Sequence, residues 1–171
     1  MWYKFCKKYD TAIVALWFEK KDIDKIKLDC NWDKFEEKTQ SDEFHLTLMY
    51  LGNLSDIKDK KKSISSVIKD LSEKYNGLEL TIGGVAKFFS DDANPIVLTI
   101  NSNELESLRL DAIDSIGKIG IKEPSDSPSF IPHITLGYTN NNINIDIKND
   151  LIKPKYLAIS WGGDLIKYRL N

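Results

Sequence analysis

The sequence predicts an α+β fold with two pseudo-symmetric lobes of mainly antiparallel strands, flanking helices and a central cleft. Short apolar segments bounded by turn residues recur along the chain, two longer segments have helical spacing, and one six-residue pattern occurs twice. Strands and helices mixed in this way are typical of the α+β class. At 171 residues and 42% hydrophobic content, we expect a single domain over 1–171, with lobes of roughly 1–90 and 91–171.

The elements of the first half follow from their patterning. An apolar strand is expected at 11–18, and the charged segment 20–40 is ambiguous, with a short helix as one interpretation. Residues 45–50 read as a strand. Apolar residues at helical spacing predict a helix over 55–76, with Ser55 as its N-cap and Gly77 just past its end. A strand at 78–89 follows, which the glycine pair Gly83-Gly84 is expected to bend or bulge.

The second half begins with an apolar strand at 95–100. Helical spacing then predicts a helix over 103–120, where Asn103 and Glu106 resemble a capping box. The Pro- and Ser-rich stretch 124–132 is expected to be a loop. The remaining apolar segments predict strands at 133–138, 155–161 and 165–170.

The repeated pattern contains both histidines of the chain. It reads His, apolar residue, Thr, Leu, any residue, Tyr, and occurs as HLTLMY from His45 and as HITLGY from His133. Each copy is apolar, alternates and precedes turn residues, so each predicts a β-strand. Because residues i and i+2 of a strand share a face, Thr47 is expected beside His45 and Thr135 beside His133.

Strict alternation also predicts where the other residues of these strands point. Tyr50 and Tyr138 are expected on the core face with the leucines. The fifth residues, Met49 and Gly137, are expected to point to the cleft, where neither adds chemistry. Base recognition is therefore left to loops and to other strands.

Two imidazoles, each beside a hydroxyl, form a symmetric set of groups for breaking one bond. One His can take a proton from a nucleophile while the other protonates the leaving group, since imidazole titrates near neutral pH. The Thr hydroxyls can hold the non-bridging oxygens of a phosphate. A lone His on an apolar strand is usually structural, but two copies of the pattern favour catalysis. No neighbouring Cys or carboxylate has metal-ligand spacing, so we expect no metal and no cofactor.

These paired motifs resemble those of the 2H phosphoesterase superfamily, which is named for its paired HxT or HxS motifs. The resemblance covers the whole chain in organisation, and its specific content is the two motifs and the closing strand. Superfamily members include RNA 2′,3′-cyclic phosphodiesterases once described as 2′-5′ RNA ligases, viral 2′-5′ oligoadenylate phosphodiesterases, and phage anti-CBASS nucleases that degrade cyclic oligonucleotides. The resemblance implies metal-independent phosphodiester chemistry for His45, Thr47, His133 and Thr135, and it does not choose the substrate.

Composition limits the classes of ligand and the cellular compartment that are expected for the protein. A net charge of −2 argues against a protein that coats long nucleic acid, whereas a small phosphorylated ligand needs only local positive charge. The sequence has no run of 18 apolar residues and no signal-peptide pattern, so neither a membrane span nor secretion is expected. Cys6 and Cys30 fit a reducing cytoplasm, that of the host if the chain comes from a phage, as its AT-rich residue usage suggests. The oligomeric state is left open.

Four residues outside the motifs are candidates for substrate binding. Trp161, in a Gly-rich turn before the last strand, is expected either to stack on a nucleobase or to pack in the core. Tyr9 is a candidate for a base-stacking rim. Lys167 and Arg169 alternate along the last strand and share a face, which is either the cleft or plain solvent.

The sequence therefore supports three functional hypotheses. The first is a metal-independent phosphodiesterase that cleaves small nucleotides, with 3′-5′-linked cyclic oligonucleotide immune signals as the expected substrate. The second is a 2′,3′-cyclic phosphate or 2′-5′ oligonucleotide phosphodiesterase in RNA processing, for which a more basic surface is expected. The third is a non-catalytic protein that sequesters nucleotides, which would have no need of two proton-transfer groups.

Overall fold

A computed structural model describes the protein over residues 10–29, 35–39, 44–89, 94–123, 130–141 and 151–170. The helices in these ranges are α1 (Lys20–Asp29), α2 (Leu54–Ile57), α3 (Lys61–Lys74) and α4 (Asn103–Lys118). The strands are β1 (Thr11–Phe18), β2 (Glu37–Lys38), β3 (His45–Asn53), β4 (Leu80–Lys87), β5 (Pro95–Asn101), β6 (His133–Tyr138), β7 (Leu151–Ile152), β8 (Pro154–Trp161) and β9 (Asp164–Arg169).

The described strands form two antiparallel sheets. Sheet A has the order β3-β1-β8-β9, and sheet B has the order β2-β6-β5-β4-β7. Every pairing within both sheets is antiparallel. The α+β prediction with mainly antiparallel strands is confirmed.

The sheets do not follow the two halves of the sequence, as lobes of 1–90 and 91–171 would require. β4 pairs with β5 across residue 90, and β1 pairs with β8 from the far end of the chain. The reason is that the last hairpin, β8 and β9, returns to pair with β1, whose buried backbone N–H and C=O groups need hydrogen-bond partners on both sides. Each sheet therefore contains strands from both halves.

Several boundaries differ from the sequence expectations. The helix expected over 55–76 is interrupted by a 3-10 turn at Lys58–Lys60, because the backbone at the buried Ile57 leaves the helical region (φ −125°, ψ 4°). The N-cap of α4 is Ser102, whose hydroxyl accepts a hydrogen bond from the Leu105 N–H at 3.3 Å. The expected bulge in β4 is present, since Gly83 has no partner in β5. The two-residue strands β2 and β7 are too short to show alternation in the sequence.

One core joins both sheets to the helices. Helix α3 packs against α4 and against strands β8 and β9, and α4 contacts β3. Buried residues from both sheets, including Leu16, Leu46, Leu98 and Ile134, belong to one continuous cluster. The opposite face of each sheet is therefore left to carry the motif side chains.

No helix among the described residues is long and apolar enough to cross a lipid bilayer.

Gly137, in the second motif, lies where β6 pairs with β2. A Cβ at this position would overlap the Glu37 carbonyl oxygen and approach Phe35 Cδ1 to 2.8 Å. Lys38 of β2 is the strand partner of Gly137, so the backbone cannot retreat without losing that pairing. The glycine is a steric requirement of the β2–β6 pair.

We expect Gly137→Ala to lower the free energy of unfolding by about 3 kcal/mol, the upper end of the range for overpacking, because backbone atoms cannot move aside cheaply. Gly117→Ala in α4 is the matched control. Its new Cβ would meet nothing within 4 Å, and a helical Gly→Ala change gains up to about 1 kcal/mol. Urea denaturation of both variants measures the difference, and equal stabilities would contradict the packing described here.

Candidate active site

The first motif lies on β3, an edge strand of sheet A. His45 is opposite Trp17 of β1, and their rings stack with centroids 5.0 Å apart and planes 20° apart. Thr47 is opposite Ala15, which clusters with Trp17 on the face away from the main core. His45 is half-buried and Thr47 is exposed. Both side chains therefore lie on the non-core face, as the sequence predicted.

The second motif lies on β6 of sheet B. His133 is opposite Thr99 and Thr135 is opposite Val97 of β5, whereas Ile134 between them belongs to the core. A ring also contacts this histidine: Phe88 meets His133 edge-on, with centroids 5.0 Å apart. Each histidine is thus held beside one aromatic side chain.

The Ile131 carbonyl oxygen orients the His133 ring. It lies 2.6 Å from Nδ1, and because a carbonyl can only accept, Nδ1 must carry the hydrogen. The neutral ring then has its lone pair on Nε2, which is the atom left to exchange protons with a ligand. A partner of this kind fixes the tautomer as well as the ring orientation.

The two motif strands meet although they belong to different sheets. β3 and β6 are in direct contact where sheet A and sheet B join. Both strands keep their Ile or Leu residues in the shared core and present His and Thr on the other side. The fold therefore brings both motifs to one junction.

Each motif strand contains a β-bulge at its leucine, which the sequence analysis missed. Thr47 pairs with Ala15 and Met49 with Val14, so Leu48 has no partner. An extra unpaired residue reverses the alternation beyond it. Met49 is accordingly buried in the core, and Tyr50 lies opposite Ile13 on the histidine face.

The second motif repeats this arrangement. Thr135 pairs with Val97 and Gly137 with Ile96, so Leu136 has no partner on β5, although its carbonyl oxygen accepts a hydrogen bond from the Thr39 N–H at 3.1 Å. Tyr138 lies opposite Pro95, on the histidine face. The expectation that the tyrosines face the core and the fifth residues the cleft is wrong in both motifs. The tyrosine at the sixth position of both motifs was the one sequence feature that could have indicated a role on the histidine face. Alternation of apolar and polar residues does not reveal a bulge.

Trp161 lies on the other side of sheet A from His45. It is half-buried and packs against the main core, and the Lys61 ammonium from α3 lies 5.2 Å from its ring centroid. Its strand neighbour Ser160 is opposite Ile13 and thus shares the histidine face. The structure does not bring Trp161 together with the motif residues.

Lys167 and Arg169 lie on the same face of sheet A as the first motif. Lys167 is opposite Ala158 and Arg169 is opposite Tyr156, and both cations are exposed. Ala158 belongs to the cluster that includes Trp17, and Tyr156 packs against it. Of the remaining predictions, Tyr9 and most of the loop 124–132 lie outside the described residues.

Trp17 and Phe88 were not singled out as site residues by the sequence. Trp17 belongs to the strand expected at 11–18 and Phe88 to the strand expected at 78–89, and neither segment contains a motif. A cross-strand partner depends on register, which is set by the bulges and by pairing between distant segments. No local pattern could have identified either ring.

A separate cavity of about 210 Å³ lies between α3 and α4, on the helical side of the fold. Beside it, the Tyr75 hydroxyl donates to Asp111 at 2.6 Å, and Lys74 pairs with the same carboxylate. Burial, followed by the hydrogen bond to this carboxylate, raises the pKa of Tyr75 to about 12. Lys74 and Tyr75 together lower the pKa of Asp111. This group ties the two helices together and is distinct from the histidine face.

The sequence model of the 2′-5′ RNA ligase superfamily matches residues 20–163, most of the chain and both motifs. The chain belongs to this superfamily, the 2H phosphoesterases. The resemblance noted in the sequence is thereby confirmed. Among the described residues, no group of three His, Cys, Asp or Glu side chains is arranged to hold a metal ion.

Solved structures have the same fold at low sequence identity. TT0787 of Thermus thermophilus is 12% identical, with a TM-score of 0.69 over 94% of this chain and 95% of that one. Escherichia coli LigT complexed with 3′-AMP is 18% identical, with a TM-score of 0.61 over 95% of each chain. The MHV ns2 PDE domain is 18% identical, with a TM-score of 0.55 over 94% of this chain and 99% of that domain. No curated protein sequence matches the chain.

The Ile131 carbonyl predicts the tautomer of His133 directly. Long-range ¹⁵N–¹H correlation spectra of the labelled protein, recorded above the pH at which the ring is protonated, should show His133 with hydrogen on Nδ1. Because the chain has only two histidines, His133→Ala assigns the signal. A neutral His133 with hydrogen on Nε2 would contradict the orientation described here.

Proposed function

We propose that the protein is a phosphodiesterase that cleaves a phosphodiester bond of a small nucleotide without a metal ion. The observation that supports this most is that two strands with the same His-x-Thr motif are in contact where the sheets join, each with His and Thr on the non-core face. Superfamily membership supports the same chemistry. The titles of the LigT structures name 3′-AMP, ATP and NADP⁺ as bound molecules, which supports a small nucleotide as the ligand here.

The proposed mechanism uses one histidine as base and the other as acid. The base takes the proton of a 2′-hydroxyl or a water as its oxygen bonds to phosphorus. The acid gives its proton to the leaving 5′-oxygen as the phosphorus–oxygen bond breaks, so charge and protons balance. The hydroxyls of Thr47 and Thr135 donate to the non-bridging oxygens, where negative charge is greatest in the transition state.

Among substrates, we propose a 3′-5′-linked cyclic oligonucleotide of the kind used as an immune signal. The acidic composition supports a small ligand over long RNA, since a net charge of −2 gives little attraction to a polyanion. The second candidate is an RNA end with a 2′,3′-cyclic phosphate or a 2′-5′ linkage. The description of the matching family and the 3′-AMP complex of LigT favour that candidate.

His45→Ala and His133→Ala should each lower kcat by about 10²–10⁴-fold, the usual contribution of a general acid or base. Thr47→Val and Thr135→Val should each lower kcat by about 10²-fold, because each removes one donor to the transition-state charge. Thr81→Val, on a strand that carries no motif residue, is the matched control and should leave kcat unchanged. Full turnover by either histidine variant would contradict the mechanism.

The substrate is tested by chromatography of products in the presence of EDTA, with 3′3′-cGAMP, cyclic tri-adenylate, linear 2′-5′ oligoadenylate and a 2′,3′-cyclic-phosphate RNA end. We expect cleavage of the cyclic oligonucleotides, with unchanged rates in EDTA. Cleavage of only the last two would assign the protein to RNA processing. Tight binding without turnover would support sequestration and contradict the catalytic proposal.

A further inference from the structure

A cross-strand row of rings connects the first histidine to a cation at the far edge of sheet A. His45 of β3 is opposite Trp17 of β1, Trp17 is opposite Tyr156 of β8, and Tyr156 is opposite Arg169 of β9. Directly opposite residues of antiparallel strands point to the same face. The row thus runs across the histidine face from a motif residue to a guanidinium, over three strand spacings or about 14 Å.

A second row runs beside the first. Thr47 is opposite Ala15, Ala15 is opposite Ala158, and Ala158 is opposite Lys167. This row also begins at a motif residue and ends at a cation. Both central residues are small and fully buried.

The character of this face is unusual for the outer side of an antiparallel sheet. Such a face is normally polar when it is in contact with water. Here the two central strands contribute Ala15 and Ala158, both fully buried, and Trp17, which is only 8% exposed. The indole N–H of Trp17 is buried and has no hydrogen-bond partner among the described residues. The motif residues and the cations lie at opposite ends of the two rows, with His and Thr on β3 and Lys and Arg on β9.

Among the described residues, no acidic side chain pairs with either of the two cations at the far end. Lys155, which also lies near the Tyr156 ring, pairs with Glu19 at 2.7 Å, and hydrogen bonds from Lys155 and Lys21 lower the pKa of Glu19 to about 2. In contrast, Lys167 and Arg169 have no carboxylate within 4.0 Å in the described part of the chain. The Lys167 ammonium rests 5.4 Å from the Tyr156 ring centroid, which holds it over the histidine face.

We propose that Lys167 and Arg169 form a second phosphate subsite, which binds a phosphate of the substrate other than the one being cleaved. This inference rests on the proposed phosphodiesterase function. A guanidinium and an ammonium two residues apart on one strand can both donate to the same phosphate. The half-buried Tyr156 ring lies between this subsite and the motif residues of β3.

The second subsite defines the substrate class as an oligonucleotide. A nucleoside 2′,3′-cyclic phosphate has a single phosphate and cannot occupy both ends of the rows at once. A cyclic or linear oligonucleotide has further phosphates one or more nucleotides away from the scissile bond. The preference for oligonucleotides is therefore expected to reside in KM, because a phosphate that is not cleaved is held equally in the bound substrate and in the transition state.

The experiment compares the wild-type protein with the double variant Lys167→Gln/Arg169→Gln on cyclic tri-adenylate, linear 2′-5′ oligoadenylate and adenosine 2′,3′-cyclic phosphate. For the oligonucleotide that is cleaved, KM should rise at least tenfold with kcat within twofold, because charge-assisted hydrogen bonds are lost. The slope of log KM against log salt should fall by about 0.7, as for one phosphate contact on a single strand. KM for the mononucleotide should stay within twofold.

Lys62→Gln, an exposed change on α3 with the same loss of charge as one of the two, is the control and should leave every KM unchanged. Equal effects of the double variant on mononucleotide and oligonucleotide, or no effect on either, would overturn the subsite. If the wild-type protein cleaves none of the substrates, the proposed function fails. Binding of the same oligonucleotides to His133→Ala, with and without the double change, then decides the subsite: tenfold weaker binding supports it, and equal binding overturns it.

Discussion

The β-bulge at the leucine of each motif strand determines which side chains share a face with the histidine. Leu48 is buried and has no partner on β1, and Leu136 is buried and has no partner on β5. Each bulge adds one residue, so the strand keeps its apolar side chains in the core and then places the motif tyrosine on the same face as His and Thr. Because both strands contain the same irregularity at the same position, each presents His, Thr and Tyr on one face.

The two motif strands are in contact where the two sheets join. β3 is an edge strand of sheet A, and β6 lies next to the edge of sheet B, where only the two-residue β2 covers it. Contact between β3 and β6 brings together two motif strands from distant parts of the chain. An aromatic ring beside each imidazole and the Ile131 carbonyl on Nδ1 of His133 restrict how the rings can turn. Such preorganisation is what positions groups for proton transfer.

Most of the fold class could be predicted because alternation and helical spacing are local properties. The motif residues were found for the same reason, since His45 and Thr47 lie two positions apart on one strand. The features that the sequence did not predict depend on pairing between distant segments. The bulges, the stacking of Trp17 on His45 and the placement of Trp161 on the core side follow from register, which no local pattern encodes. The interleaving of the sheets across residue 90 has the same origin.

The central claim is that both histidines face one bound nucleotide, and titration with 3′-AMP tests it most directly. The imidazole ¹H–¹³C resonances of a protein with only two histidines report on each ring separately. We predict that both signals shift during the titration and that both curves give the same Kd. A shift of only one histidine signal, or two curves with different Kd values, would contradict a shared site at the junction of the sheets.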